Sequence, residues 1–163
     1  KRGVDTHNDK RVNEFLAQMD GFSGKNPNLL LLGATNRPWD IDSAVLRSGR
    51  FSQKIYIPLP DAKARKFMIE KSMKNVPVDK DFNVDKIVEK TEMFSGADID
   101  ELCDRAKDEP LLKAIEEDRV VEITNADFDN ILKVFPPSVT EADLKLFDKF
   151  NAEINSLVSR KKK

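Results

Sequence analysis

An asparagine placed soon after a short apolar run is the first residue of this chain that could do chemistry. Asn36 follows the four leucines at 29–32 and the residues Gly33, Ala34 and Thr35. A wholly apolar run of this length suits a strand buried on both faces of a parallel sheet, and ligands bind beyond the carboxyl ends of such strands. The Asn36 amide could donate to a phosphate oxygen or orient a water there. Thr35 and Asn36 could equally do no more than shape the turn that follows.

Two arginines a short distance downstream form the second candidate group. Arg47 and Arg50 lie on either side of Gly49, so in a helical end or a tight turn both guanidinium groups can lie on one side. A planar guanidinium is well suited to phosphate. Two arginines in a loop are also typical of a solvated surface, and the residue types alone leave both interpretations open.

The whole stretch from residue 29 to residue 61 resembles a known family. The string LLLLGATNRPWDIDSAVLRSGRF, followed by QKIYIPLPD, is similar to the second half of the nucleotide-binding domain of AAA ATPases. Its LRxGRF pattern resembles the valosin-containing-protein branch, and NRPWDID resembles the katanin, spastin and vacuolar-sorting branch. The resemblance implies an ATP-driven, chaperone-like machine that remodels or unfolds proteins as a hexameric ring.

The same resemblance implies catalytic roles for three residues. Asn36 would be sensor 1, which positions the attacking water near the γ-phosphate. Arg47 and Arg50 would be arginine fingers, which reach into the ATP site of the neighbouring subunit. The implied partners are other AAA protomers and a protein substrate.

Two further segments take a role from this resemblance. Asp20, Gly21 and Phe22 resemble the inter-subunit signalling motif, which touches the next protomer, although a glycine here could simply cap a helix. Gly96 and Ala97 resemble the sensor 2 segment, in which small residues at the start of a lid helix let the backbone approach adenine and ribose. These residues also make an adequate helix start without any nucleotide.

The phosphate-binding motif of such ATPases does not occur among the 163 residues. That motif reads G-x-x-x-x-G-K-[ST], and at the one Gly-Lys pair, Gly24-Lys25, Met19 replaces the first glycine and Asn26 replaces the hydroxyl. No acidic pair follows an apolar strand. We therefore expect ATP or ADP with Mg²⁺ as cofactor of the complete domain, and neither a stably bound nucleotide nor a metal site in this portion alone.

Composition argues against several other functions. The 28 Lys and Arg residues nearly balance the 29 Asp and Glu residues, so there is no general attraction to nucleic acid or membrane. Aromatic and basic residues do not alternate as in nucleic-acid binders, and no apolar run is long enough for a membrane span. Cys103 lies on the apolar side of a predicted helix, so we expect a buried thiol and a reducing, cytoplasmic location.

Two domains are expected, and the predicted fold class is α/β followed by all-α. Residues 1–61 would be the carboxyl-terminal part of a large α/β subdomain of P-loop NTPase type, with strands of its parallel sheet at 29–32 and 54–57. Residues 62–163 would form the helical lid bundle. Because most of that sheet would lie outside these residues, we expect the strand at 29–32 to pair in trans.

Helical periodicity predicts one helix over residues 12–19 and five helices in the lid. Capping boxes begin at Ser95, Thr124 and Thr140, where a short polar side chain precedes an acidic residue by three positions. Pro110 is expected to bend or break the helix that starts at Ser95.

Two functions are compatible with these features. The chain could be the catalytic portion of an ATPase that carries sensor 1, arginine fingers and lid. It could instead be a non-catalytic interaction module that docks on ring neighbours and supplies or blocks arginine fingers in trans. In either case we expect the isolated chain to hydrolyse no ATP.

Overall fold

The computed structural model describes residues 5–22, 30–46, 50–51 and 53–160. Within these ranges the regular structure is helical, apart from one isolated β-bridge. The helices are α1 (Asp5–Phe22), α2 (Ala62–Met73), α3 (Val84–Lys90), α4 (Gly96–Glu117), α5 (Asn125–Leu132) and α6 (Glu141–Arg160), with a short 3-10 helix at Pro38–Asp40.

The chain divides into two compact units. One consists of Lys1–Tyr56 and Phe150–Lys163, and the other of Ile57–Lys149. Helices α2 to α5 belong to the second unit. The domain boundary at residue 61 stays a prediction.

Helix α4 is the centre of the second unit. Its buried residues recur every three or four positions, as in an amphipathic helix, and they pack against α2 and α5. Helix α3 packs in turn against α2 and α5. The largest fully enclosed side chains are Phe128, Ile69, Ile87, Ile99, Leu102, Ile123, Thr91 and Cys103. The predicted lid helices and the predicted burial of Cys103 are thus confirmed.

The three predicted capping boxes are present. In each, the carboxylate of the third helical residue accepts a hydrogen bond from the backbone N–H of the cap residue. The pairs are Ser95–Asp98 at 2.8 Å, Thr124–Asp127 at 2.7 Å and Thr140–Asp143 at 2.9 Å. These side chains satisfy backbone groups that the helix itself leaves open.

Two connections of the second unit lie side by side. Val78 and Ile123 form a parallel bridge, in which the N–H of Asp79 donates to the Ile123 carbonyl at 2.9 Å and the N–H of Ile123 donates to the Pro77 carbonyl at 2.9 Å. This pairing joins the loop before α3 to the loop before α5.

The predicted sheet is not observed in the described residues. Residues 30–32 and 54–57 form no strand, and the side chains of Leu30, Leu32 and Ile55 are 86%, 87% and 82% exposed. A buried parallel strand needs hydrogen-bonding neighbours on both edges and apolar layers on both faces. No strand lies beside either segment within the described ranges.

The prediction for the ends of α1 was wrong. Helix α1 starts at Asp5, earlier than predicted, and it continues through Gly21, which therefore lies within the helix and does not cap it. Helix α4 continues through Pro110, so the alternative of a break there was also wrong, and a bend stays a prediction. A proline removes only one backbone hydrogen bond of the helix, and the Pro110 ring is buried.

Helix α4 ends at a residue with left-handed backbone geometry. Asp118 has φ 49° and ψ 42°, and its N–H donates to the Ala114 carbonyl. Its side chain is exposed. A residue with a Cβ is strained in this conformation, and a negative charge at a helix carboxyl end is unfavourable.

We therefore predict that Asp118→Gly raises the free energy of unfolding by about 1 kcal/mol, because it removes both effects at once. Urea denaturation followed by circular dichroism measures the change. Asp108→Gly is the matched control, because Asp108 is exposed within α4 and a glycine in a helix interior is destabilising. Equal losses of stability in the two variants would contradict the prediction.

Candidate functional site

The turn around Asn36 is held by its neighbours. The Thr35 hydroxyl oxygen accepts a hydrogen bond from the Arg37 N–H at 3.0 Å. The Arg37 guanidinium is paired with Asp40 at 2.5 Å and lies 5.9 Å from the centre of the Trp39 ring. Asn36 is exposed, and its amide makes no hydrogen bond with the described residues. Among the described residues, none occupies this amide.

A close contact joins this turn to the segment that carries Arg50. A Cβ placed on Gly33 would lie 3.1 Å from Cζ and 3.2 Å from Cε1 of the Phe51 ring. That is tighter than nearly all real Cβ contacts, so the ring packs where only glycine leaves room for it. The backbone leading to Asn36 therefore lies against the residue that follows Arg50.

Two basic side chains, Arg50 and Lys54, bind main-chain carbonyls near the Arg50 segment. The Arg50 Nη1 donates to the Ala44 carbonyl at 2.8 Å. The Lys54 Nζ donates to the Leu46 carbonyl at 3.0 Å and to the Phe51 carbonyl at 3.3 Å. Lys54 thus links the residues on either side of the 47–50 segment.

The start of α4 presents two small residues beside an apolar methyl group. Gly96 is half-buried and Ala97 is exposed, and their N–H groups have no partner among the described residues, as is usual in a first helical turn. A Cβ placed on Gly96 would lie 3.5 Å from the Met68 Cε. Free N–H groups next to a half-buried methionine suit a flat apolar group that also carries hydrogen-bond acceptors.

Asp98 holds this helix start to a distant loop. Its side chain is buried, and its Oδ2 accepts hydrogen bonds from the Ser95 N–H at 2.8 Å, the Ser138 hydroxyl at 2.9 Å and the Ser138 N–H at 3.3 Å. Burial alone would raise the pKa of Asp98. Hydrogen bonds from Ser95 and Ser138 outweigh burial, so the pKa lies below its ordinary value.

Four predicted site residues cannot be placed by their side chains. Arg47 lies outside the described residues. Asp20, Gly21 and Phe22 form the last turn of α1, and their side chains lie outside the description. Their roles stay predictions.

No functional role was predicted from the sequence for three residues that contact the site. Met68 lies in one of the predicted lid helices, and helical periodicity does not indicate its contact with Gly96. Lys54 and Ser138 act through main-chain carbonyls and a carboxylate. No local pattern in the sequence marks either contact.

The described residues offer little for other kinds of chemistry. Burial raises the pKa of the Cys103 thiol to about 11, which makes it a poor nucleophile. No three His, Cys, Asp or Glu side chains converge on a metal position in the part of the chain that the structure describes. No described helix is long and apolar enough to cross a membrane.

Comparison with protein families identifies the class of domain to which the central part of the second unit belongs. Residues 81–130 match the AAA+ lid domain, so helices α3 to α5 form a lid of that class. Residues 1–59 match the ATPase family associated with various cellular activities (AAA). The chain belongs to the AAA ATPase family, and it carries the carboxyl-terminal portion of the ATPase domain with its lid. The complete domain of this family takes ATP or ADP with Mg²⁺.

The lowered pKa of Asp98 predicts how lid stability depends on pH. A carboxylate whose folded pKa is depressed contributes stability above its unfolded pKa, and that contribution is lost as pH falls through the folded value. We expect wild type to lose more stability than Asp98→Asn below about pH 4, as measured by urea denaturation at several pH values. Asp100→Asn, an exposed change on the same helix, should follow the wild-type curve. Parallel curves for wild type and Asp98→Asn would contradict the prediction.

Proposed function

We propose that this chain supplies sensor 1, the arginine fingers and the lid of an ATPase that remodels or unfolds proteins as a hexameric ring. The observation that carries the proposal is the contact between Gly33 and Phe51, since it brings the turn of Asn36 against the segment of Arg50. In a ring, Asn36 would then act on the nucleotide of its own subunit and Arg50 on the nucleotide of the neighbour, so this contact would link two successive ATP sites. The identity of the nucleotide, ATP or ADP, is inferred from membership of the AAA family.

Asn36 is the proposed sensor 1 residue. Its exposure, and the fact that Thr35 and Arg37 hold the turn without it, support an amide that is free to orient the attacking water. Orientation of a nucleophile contributes a large part of catalysis in phosphoryl transfer. Bound ATP would supply the phosphoryl group that is transferred to this water.

Arg47 and Arg50 are the proposed arginine fingers. The Arg50 guanidinium donates to the uncharged Ala44 carbonyl, and the negative charge of a phosphate would add a Coulombic attraction that this carbonyl lacks. A neighbouring nucleotide would therefore compete with the carbonyl for the guanidinium. Lys54, which holds Leu46 and Phe51, would keep the surrounding backbone in place.

Gly96, Ala97 and Met68 form the proposed lid contact with the nucleotide. The two free N–H groups can donate to ribose or adenine, and the Met68 side chain can lie against the base. The described residues fit this group because Gly96 leaves its side of the helix start open. Mg²⁺ is not assigned to any residue of this chain.

The remaining proposals concern assembly and location. Asp20, Gly21 and Phe22 would signal to the next protomer, and other AAA protomers and a protein substrate would be the partners. A cytoplasmic location accords with the single, buried Cys103.

A second candidate function is a non-catalytic module that docks on ring neighbours and supplies or blocks arginine fingers in trans. The exposed apolar side chains of Leu30, Leu32 and Ile55 favour it, because such a surface promotes association. The isolated chain can be added to an intact ring of a related ATPase. A changed ATPase rate supports docking, and an unchanged rate at saturating excess counts against it.

The catalytic proposal predicts complementation between two inactive variants. In rings of the complete domain, Asn36→Ala should lower ATP hydrolysis about a hundredfold, and Arg50→Ala or Arg47→Ala about a thousandfold. Mixed rings of Asn36→Ala and Arg50→Ala subunits should regain activity, because about a quarter of their interfaces combine an intact Asn36 with an intact finger.

The control for this experiment is Arg119→Ala, which removes an exposed arginine paired with Glu117 and should leave the rate unchanged. Mixed rings without regained activity would show that the two groups do not act across an interface. Magnesium-dependent hydrolysis by the isolated chain that survives both substitutions would show that the chemistry lies elsewhere.

Gly96→Ala tests the lid contact. The new methyl group would meet Met68 at an ordinary distance of 3.5 Å, so the lid should fold with unchanged or slightly higher stability. The same methyl group would stand between the backbone and the nucleotide, and affinity for ADP should fall about tenfold in the complete domain. Calorimetric titration measures this change, with Asp100→Ala as the control on the same helix. Unaltered ADP affinity in Gly96→Ala would refute the contact.

A further inference from the structure

One carboxylate oxygen joins two segments of the lid that are far apart in sequence. The Asp98 Oδ2 accepts from Ser95, three positions earlier, and twice from Ser138, forty positions later. Asp98 is 5% exposed. Three donors on one buried oxygen leave that oxygen no room for solvent.

Asp98 accepts more hydrogen bonds than a helix cap requires. At the start of α5, Asp127 accepts from the N–H of Thr124 at 2.7 Å and from its hydroxyl at 2.8 Å. Within the described residues that carboxylate makes no hydrogen bond to another segment. The Thr124–Asp127 box of α5 is therefore local, whereas the box of α4 includes the loop at Ser138. The start of α5 is joined to the loop before α3 by a different side chain, since Asn125 exchanges two hydrogen bonds with the Asn83 backbone.

Aromatic contacts reinforce the same junction. The rings of Phe94 and Phe135 meet edge to face, with centroids 5.9 Å apart. The Arg105 guanidinium carbon lies 4.7 Å from the centre of the Phe135 ring. Two contacts therefore hold the loop that begins at Phe135 to the region where α4 starts. One is the apolar contact of Phe135 with Phe94, and the other is the polar contact of Ser138 with Asp98.

The loop passes directly into α6. Two residues after Ser138, the Thr140 hydroxyl and N–H donate to Asp143 at 2.6 Å and 2.9 Å, and this box begins α6. Hydrogen bonds therefore run from Ser95 through Asp98 to Ser138, and only the backbone of Val139 separates Ser138 from the box that begins α6.

We infer that Asp98 is a positioning residue that couples nucleotide binding at Gly96 and Ala97 to the start of α6. The inference rests on the proposed function, since it requires the nucleotide to contact this helix start. A nucleotide that orders the first turn of α4 would also order Ser138, and through it the beginning of α6. Such coupling is reciprocal, because whatever fixes α6 would raise the affinity for nucleotide by the same factor.

The test uses the complete AAA domain that contains this chain, with ADP as the probe. Ser138→Ala should weaken ADP binding about fivefold, the effect of one hydrogen bond. Hydrogen exchange should show that ADP protects amides 95–98 and 139–144 in wild type, and that protection of 139–144 is lost in Ser138→Ala. Ser138→Thr keeps the hydroxyl and should restore both properties.

Asp127→Asn is the matched control, because it weakens a capping box that has no long-range contact. It should lower the melting temperature of the lid while ADP affinity and ADP-dependent protection stay as in wild type. A purely structural role for Asp98 predicts that Ser138→Ala also changes only the melting temperature, and that result would overturn the coupling. Absence of ADP-dependent protection at 95–98 in wild type would overturn the nucleotide contact itself, and the inference with it.

Discussion

The buried face of α4 is the constraint on which the lid depends. Ile99, Leu102, Cys103 and Ala106 are almost completely enclosed, and α2 and α5 pack against that face. Close-packed interiors transmit small changes in volume, so the direction of α4 is set by contacts along its whole first half. The small residues at its amino end are therefore presented by a rigid element, which is what a binding contact through backbone N–H groups requires.

Local signals in the sequence predicted the lid well. The capping boxes and the five lid helices occur as expected, because a cap is decided within four residues and a short amphipathic helix within two turns. Gly96 and Ala97 occupy the predicted helix start for the same reason. No such local signal predicts the left-handed helix end at Asp118, because glycine is the usual residue at that position.

Contacts between distant residues could not be predicted in this way. The leucines at 30–32 have the composition of a buried strand, but composition does not provide the neighbouring strands that bury it. The packing of Phe51 on Gly33 and the bond of Ser138 to Asp98 each join separate segments. The geometry of a site thus depends on contacts that a local pattern does not contain, even where the pattern identifies the residues themselves.

The buried charge of Arg65, near the start of the helical unit, makes another contact that a local sequence pattern does not predict. Arg65 is buried, and it donates to the Pro60 carbonyl at 2.9 Å and to the Val88 carbonyl at 3.2 Å. Its Nε has no partner within the described residues, so burial of this cation is only partly compensated. The carbonyls of Pro60 and Val88 gain a charged donor in return, and the Val88 carbonyl also accepts from the N–H and the hydroxyl of Thr91 at the end of α3. The backbone at Pro60 is therefore held to the helical unit by the Arg65 side chain.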